Sequence, residues 1–140
     1  MKLIPEWYEH QYCLIAWPCN KDLYGKIINK ARDEVANVIN EIAKTEHVIV
    51  LSNKEDINEI ENKTDHKNIH IVECKLDDSW MRDIAPIFYN EDEKLKSISF
   101  EFNGYGKYPD YSNDNKISKF ISNYLNIPTK ISDLVIEGGA

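Results

Sequence analysis

The chain has 140 residues, of which 29% are charged and 42% are hydrophobic, and its formal net charge is −7. This size and balance predict one folded domain with a single core. The negative charge argues against partners such as nucleic acid or an anionic membrane surface, and it is compatible with a small cationic ligand. No apolar run approaches the roughly 20 residues that a membrane-spanning helix needs.

The first half of the chain alternates apolar strands with helices. Residues 12–17 predict a buried strand, and Asn20 or Asp22 can cap a long helix that ends near Ala43. The predicted apolar stripe of this helix consists of Leu23, Ile27, Ala31, Val35, Val38, Ile39 and Ile42. Three segments complete this half: a strand covered on both faces, a short polar helix and a second strand, at residues 47–51, 53–63 and 69–74.

The second half predicts paired strands followed by a helix. Residues 87–89 and 96–102 predict strands joined by a charged turn, and the second strand places Ile98, Phe100 and Phe102 on one face. After a loop, an amphipathic helix is predicted from about residue 113 to residue 125. Two further short strands, Lys130–Ser132 and Leu134–Ile136, follow it.

The cysteines and histidines give no metal or redox motif. Cys13, Cys19 and Cys74 form an odd set without close pairing, so we expect reduced thiols and a cytoplasmic location. The N-terminal residues lack a signal-peptide core. His66 and His70 are separated by a predicted turn, which argues against a metal pair. We therefore expect neither a metal nor a cofactor.

Acidic and aromatic residues concentrate between the strands at 69–74 and 87–89. This segment contains three aspartates, one arginine and Trp80. Carboxylates accept paired hydrogen bonds from a planar guanidinium, and a tryptophan face stacks on the same cation. The alternative is an internal salt bridge between Arg82 and a neighbouring aspartate, beside a half-buried Trp80.

Four ordered blocks resemble the agmatine deiminase family, which includes the Porphyromonas-type arginine deiminases. The blocks are Pro5-Glu6-Trp7 with His10 and Ala16-Trp17-Pro18, then Asp77–Pro86, then Phe100–Tyr108, and finally Ile136-Glu137-Gly138-Gly139. The resemblance implies an α/β fold of the pentein type, an α/β propeller of five ββαβ units around a pseudo-fivefold axis. Residues 1–140 fit about two of these units, so we expect an N-terminal fragment of a single pentein domain that continues past Ala140.

The resemblance also implies an activity, a hydrolase reaction on a linear amidine. In the family, a cysteine thiolate attacks the guanidine carbon of agmatine or of an arginine-like substrate, and ammonia leaves. Water then releases N-carbamoylputrescine or citrulline, the former a step in putrescine biosynthesis. No cofactor takes part. The expected ligand of this chain is accordingly a small guanidinium cation.

Residue roles carry over at three positions. Asp83 matches the family's guanidinium-binding aspartate, Trp80 matches the tryptophan that packs at the substrate, and Glu137 matches the carboxylate that works with the catalytic histidine. The family's histidine and nucleophilic cysteine have no counterpart among the 140 residues, so we expect this chain alone to be inactive.

Two further expectations concern partners. The missing chemistry suggests a complementing C-terminal polypeptide or a homo-oligomer, and two units alone should leave apolar surface uncovered. The alternative function is a non-catalytic module that binds guanidinium or serves in assembly, for example as one piece of a split deiminase.

Overall fold

The computed structural model of the protein describes residues 2–5 and 7–138, so Glu6, Gly139 and Ala140 of the sequence blocks lie outside the described residues. The strands are β1 (Lys2–Leu3), β2 (Tyr12–Ala16), β3 (His47–Ser52), β4 (Ile69–Glu73), β5 (Ile87–Glu91), β6 (Lys94–Glu101) and β7 (Thr129–Val135). The α-helices are α1 (Lys21–Tyr24), α2 (Ile28–Ala43), α3 (Ile57–Lys63), α4 (Met81–Ile84) and α5 (Ile117–Tyr124). The chain forms two compact units, His10–Ser79 and Met1–Glu9 with Trp80–Ala140.

The His10–Ser79 unit is built on a parallel sheet in the order β2-β3-β4. The central strand β3 pairs Val50 with Ile15 on one side and with Ile71 on the other. From Val48 to Ser52 this strand is buried, which confirms the prediction of a strand covered on both faces. Helices α2 and α3 contribute to a core that consists of Trp17, Ala36, Ile39, Ala43, Val48, Val50 and Ile60.

The predicted long helix is interrupted, and its predicted stripe is only partly confirmed. Asn20 caps α1 as expected, because its side chain accepts a hydrogen bond from the Leu23 amide at 2.9 Å. Gly25, with φ +51°, then breaks the helix before α2 begins. The stripe residues Leu23, Ile27 and Val38 are exposed, whereas Ile39 is buried and Val35 and Ile42 pack against the core. The rest of the buried face of α2 consists of Arg32, Ala36 and Ala43.

The buried arginine of α2 explains part of the difference between the predicted stripe and the observed buried face. Arg32 is only 5% exposed, and its guanidinium donates to the carboxylates of Asp56 and Glu59 and to the carbonyl of Pro18. Burial raises the pKa of the Asp56 carboxyl, although the adjacent guanidinium opposes the shift. This Arg32 cluster, which consists of Arg32, Asp56 and Glu59, joins α2 to α3 and to the segment before α3. A hydrophobicity pattern cannot show the cluster because every member is charged.

The second unit contains a mixed sheet in the order β1-β5-β6-β7. Strands β5 and β6 form an antiparallel hairpin whose turn residues, Asp92 and Glu93, both have positive φ, as a tight hairpin turn requires. Strand β7 then pairs in parallel with β6 after the crossover helix α5. The sequence of elements β5-β6-α5-β7 is therefore a complete ββαβ unit, as the strand and helix pattern predicted.

On β6 the serines are buried more completely than the apolar residues that alternate with them. Ser97 and Ser99 are buried, whereas Ile98 and Phe100 are only partly buried. The reason is a hydroxyl network, in which the Ser97 hydroxyl lies 2.9 Å from that of Ser122 on α5 and 2.7 Å from that of Thr129 on β7. Mutual hydrogen bonds let small polar side chains occupy the interior.

Strand β7 replaces the two short strands that the sequence predicted. It is continuous, with a register irregularity opposite Ser99–Glu101. Ile131, Leu134 and Val135 are exposed on it, at 62%, 60% and 48%, which confirms the expectation of uncovered apolar surface. Within residues 2–5 and 7–138, no helix has both the length and the apolar character to cross a bilayer.

The Arg32 cluster gives a test of stability. Replacing Arg32 with Met should lower the free energy of unfolding by about 3–5 kcal/mol, because two carboxylates would lose their buried partner. Urea denaturation measures this loss. The matched control is Lys30→Met on the exposed side of the same helix, where Lys30 faces Glu34 at 3.9 Å, and we expect less than about 0.5 kcal/mol there. Equal losses in the two variants would contradict the role of the cluster.

Candidate functional site

The acidic and aromatic segment ends in one helical turn, α4, where the sequence predicted only a loop. Met81 and Ile84 are buried and fix this turn in the core of its unit. Trp80 and Asp83 are also three residues apart and therefore share another side of the turn. The Trp80 carbonyl accepts hydrogen bonds from the amides of Asp83 and Ile84, at 3.0 and 3.2 Å. Trp80 itself is 40% exposed.

A tyrosine from a distant loop contacts both predicted binding residues. The hydroxyl of Tyr105 donates a hydrogen bond of 2.7 Å to Oδ2 of Asp83. The rings of Tyr105 and Trp80 meet edge to face, with 6.4 Å between their centroids. A partly buried carboxylate thus lies beside two aromatic rings that are each about two-fifths exposed. This combination suits a flat organic cation.

The loop that carries Tyr105 has an unusual backbone. Gly104, Tyr105 and Gly106 all have left-handed conformations, with φ of +63°, +60° and +65°. Asn103 holds the turn, because its side chain accepts from the Gly106 amide at 3.0 Å. A left-handed conformation costs a residue with a side chain about 1–2 kcal/mol, whereas glycine adopts it freely. Only the tyrosine is therefore strained.

Aromatic packing offsets this strain. The Phe102 ring meets the Tyr105 ring at 5.2 Å between centroids and the Tyr111 ring at 6.4 Å, both edge to face. The Phe102 amide donates to the side chain of Asn115 at 2.7 Å, which fixes the start of the loop. A side chain on Gly104 would press against the Tyr111 ring, so this position favours glycine for space as well as for φ.

Glu137 is linked to the same turn through the backbone. It is partly buried just after β7, and Gly138 follows it. A Cβ atom at Gly138 would overlap the carbonyl oxygen of Arg82, so the two backbones are in close contact. Among the contacts of the described residues, this one connects Glu137 to the Trp80–Asp83 turn. Direct contacts join Trp80, Asp83 and Tyr105.

The three cysteines all belong to the His10–Ser79 unit. Burial raises the pKa of the Cys13 thiol, and the nearby Glu46 carboxylate adds to the shift. Cys13 is therefore held in the unreactive thiol form. The Cys19 thiol donates to the Leu76 carbonyl at 3.7 Å. In the part of the chain that the structure describes, no three His, Cys, Asp or Glu side chains are placed to hold a metal.

Sequence reasoning named Trp80, Asp83 and Glu137 but missed Tyr105 as their neighbour. The quoted block Phe100–Tyr108 contains Tyr105, and the Gly-Tyr-Gly pattern signals a turn with positive φ. That signal locates a loop without naming its partner. The contact with Asp83 spans 22 residues and arises only when the loop folds over α4.

Comparison with known proteins assigns the family. The sequence profile described as Porphyromonas-type peptidyl-arginine deiminase matches residues 2–140. A Legionella pneumophila protein named "Putative agmatine deiminase" is 36% identical over 138 residues, which are 96% of this chain and 40% of that protein. The chain thus spans about two-fifths of the length of this relative.

Solved structures give the fold. The agmatine deiminase of Enterococcus faecalis superposes with a TM-score of 0.91 at 19% identity, covering 99% of this chain and 40% of the other. A cysteine-to-serine variant of the C. jejuni agmatine deiminase with substrate bound gives 0.87 at 26% identity, covering 99% and 41%. The fold is accordingly part of a pentein, about two of its five units. With the profile match over residues 2–140, the chain belongs to the Porphyromonas-type peptidyl-arginine deiminase family.

Proposed function

We propose that this chain supplies the guanidinium-binding part of an agmatine deiminase. The reaction is hydrolysis of the agmatine guanidine to N-carbamoylputrescine and ammonia, a step in putrescine biosynthesis. One observation carries the proposal: Asp83 accepts a hydrogen bond of 2.7 Å from Tyr105, whose ring contacts the partly exposed Trp80. Relatives named as agmatine deiminases support agmatine as the substrate, and an arginine-like substrate that would yield citrulline is the alternative.

Asp83 and Trp80 are proposed to bind the cation together. A carboxylate and a guanidinium about 4 Å apart attract each other by about 1 kcal/mol in bulk water and by about 4 kcal/mol at an effective dielectric constant of 20. Two aromatic rings beside Asp83 exclude part of the solvent and raise this attraction. The tryptophan ring adds a stacking surface for the planar cation.

The proposed chemistry needs a nucleophilic cysteine and a catalytic histidine, and neither has a counterpart among the 140 residues at the family's positions. A cysteine thiolate adds to the guanidine carbon, the carbon–nitrogen bond breaks, and ammonia leaves after protonation. Water then adds to the thiouronium carbon, and the carbon–sulfur bond breaks to release the product and the thiolate. Glu137 is proposed to orient the histidine that moves these protons. The thiol and the imidazole come from a further polypeptide segment, in the same chain or a second one.

Two observations support this division of labour. None of the three cysteines stands at the position of the family's nucleophile, and burial raises the pKa of Cys13. The exposed apolar residues of β7 favour a further segment, or a second copy, packed on that strand. The free cysteines fit a reducing compartment, so we place the protein in the cytoplasm.

The 140-residue polypeptide should not turn over agmatine by itself. Assays of ammonia and N-carbamoylputrescine with the purified polypeptide test this, and the agmatine deiminase of Enterococcus faecalis serves as the positive control. Turnover by the polypeptide would show that no further segment is needed. If the 140-residue polypeptide turns over agmatine, and still does so after Cys13, Cys19 and Cys74 are replaced by serine, then the covalent mechanism is wrong.

Removing the charge of Asp83 should impair the complete protein. Asp83→Asn keeps an oxygen that can accept from Tyr105 but loses the attraction to the cation, so kcat/KM for agmatine should fall about 100-fold to 1,000-fold. The matched control is Asp92→Asn on the exposed hairpin turn, where φ is +52° and asparagine fits equally well. Equal activities of the two variants would refute the role of Asp83.

The contact between Gly138 and Arg82 gives a third test. Gly138→Ala forces the two backbones apart and moves Glu137, so we expect kcat for agmatine to fall about tenfold or more. The matched control is Gly25→Ala between α1 and α2, where a Cβ meets no atom within 4 Å but φ is +51°. This control should mainly lower the unfolding temperature. Unchanged kcat in Gly138→Ala would show that the contact does not place Glu137.

A further inference from the structure

We propose that Tyr105 is a positioning residue for guanidinium recognition: it orients the carboxylate of Asp83, which binds the guanidinium. This inference rests on the proposed function, because it concerns how the same carboxylate binds the same chemical group. A carboxylate on a short side chain can rotate about its last torsion angle. A single hydrogen bond from a rigid donor removes this freedom before any ligand arrives, and such preorganisation strengthens binding.

The geometry leaves the carboxylate able to bind a ligand. Each carboxylate oxygen has two lone pairs, and the Tyr105 hydroxyl uses one lone pair of Oδ2. Both oxygens of Asp83 therefore keep a lone pair for the two parallel hydrogen bonds of a guanidinium fork. A tyrosine hydroxyl donates to an anion without adding a positive charge. It holds Asp83 in place and does not compete with the cation, as a lysine or arginine partner would.

The donor is itself held firmly. The Tyr105 ring meets Phe102, Trp80 and Tyr108 edge to face, with centroid distances of 5.2, 6.4 and 6.2 Å. Three ring contacts limit the rotation of this side chain. The position of the hydroxyl then follows from the position of the loop.

The backbone strain points to a functional reason for a tyrosine here. Tyr105 has φ +60° and ψ +19°, between two glycines of the same handedness. Glycine or asparagine would adopt this conformation with less strain. A strained side chain that aims its polar atom at a binding carboxylate is the pattern expected when strain serves a site. The inference starts from this observed outlier together with its 2.7 Å hydrogen bond.

The main test removes one oxygen atom. Tyr105→Phe in the complete protein keeps the ring contacts and the backbone conformation but deletes the donor. We expect the dissociation constant of agmatine to rise about tenfold to 100-fold, the range for a hydrogen bond to a charged group. The unfolding temperature should change by less than about 3 °C. Tyr111→Phe is the matched control, because it packs on Phe102 in the same region, and its affinity should change less than twofold.

A double-mutant cycle separates positioning from general packing. If Tyr105 acts through Asp83, then Tyr105→Phe should have little further effect in an Asp83→Ala background, which has no side-chain oxygen to accept from Tyr105, measured as agmatine affinity. The product N-carbamoylputrescine, in which an uncharged urea replaces the guanidinium while the distal ammonium remains, should lose little affinity in Tyr105→Phe. Additive losses in the cycle would overturn the proposal, and so would equal losses for Tyr105→Phe and Tyr111→Phe.

Three probes distinguish this inference from the proposed function. Binding of agmatine, free arginine and a peptidyl-arginine is measured by calorimetry for the wild-type protein and for Tyr105→Phe. If arginine or peptidyl-arginine binds in a Tyr105-dependent manner and agmatine does not, the agmatine assignment fails while the positioning role stands. If agmatine binds and turns over but Tyr105→Phe is neutral, only the positioning role fails. If none of the three binds to the wild-type protein, both proposals are overturned.

Discussion

The burial of one side of a single helical turn determines how the candidate site is built. Met81 and Ile84 insert into the core of their unit, so Trp80 and Asp83 are left on a side that other residues can reach. Burying two large apolar side chains contributes about 1.5–3 kcal/mol each, far more than a four-residue helix could gain from its own hydrogen bonds. The short turn is therefore stable only as part of the core. The direction of the Asp83 carboxylate depends on that packing.

The loop around Tyr105 adds the second half of the site at a local cost. Its left-handed backbone disfavours tyrosine, and aromatic contacts with Phe102, Trp80 and Tyr108 compensate. Packing and strain thus act on the same residue and place its hydroxyl against Asp83. The close approach of Gly138 to the Arg82 carbonyl brings a third segment to this turn. Three segments that are distant in sequence meet around α4 for steric reasons.

The remaining structure shows which parts of this fold are satisfied internally. The parallel sheet of the His10–Ser79 unit has a fully covered central strand, and the Arg32 cluster pairs its buried charges. In the second unit, β7 instead carries exposed Ile131 and Leu134. The chain corresponds to about 40% of the length of the relatives it matches. In a propeller of repeated units, such a strand is the surface on which further structure packs.

Local patterns were sufficient for much of the fold. Runs of apolar residues predicted β2, β3 and β4, turn chemistry predicted the β5–β6 hairpin, and Asn20 was recognised as a cap. The ordered blocks around Trp80, Asp83 and Glu137 are sufficient to indicate the family, which the profile match confirms. These features are determined by neighbours in the sequence, which is why they can be read from it.

Tertiary contacts decided the rest. A hydrophobicity pattern places Arg32 and Ser97 on the surface because both are polar. Their burial is stable because they form hydrogen bonds to partners 24 and 25 residues away in the sequence. The left-handed conformation of Gly25 interrupts the single long helix that the pattern predicted, so that α1 ends before α2 begins. The Tyr105–Asp83 hydrogen bond spans 22 residues. The sequence by itself determined which side chains are present and to which family the chain belongs. Only the tertiary structure decided which of those side chains contact one another, because the contacts join residues that are distant in the sequence.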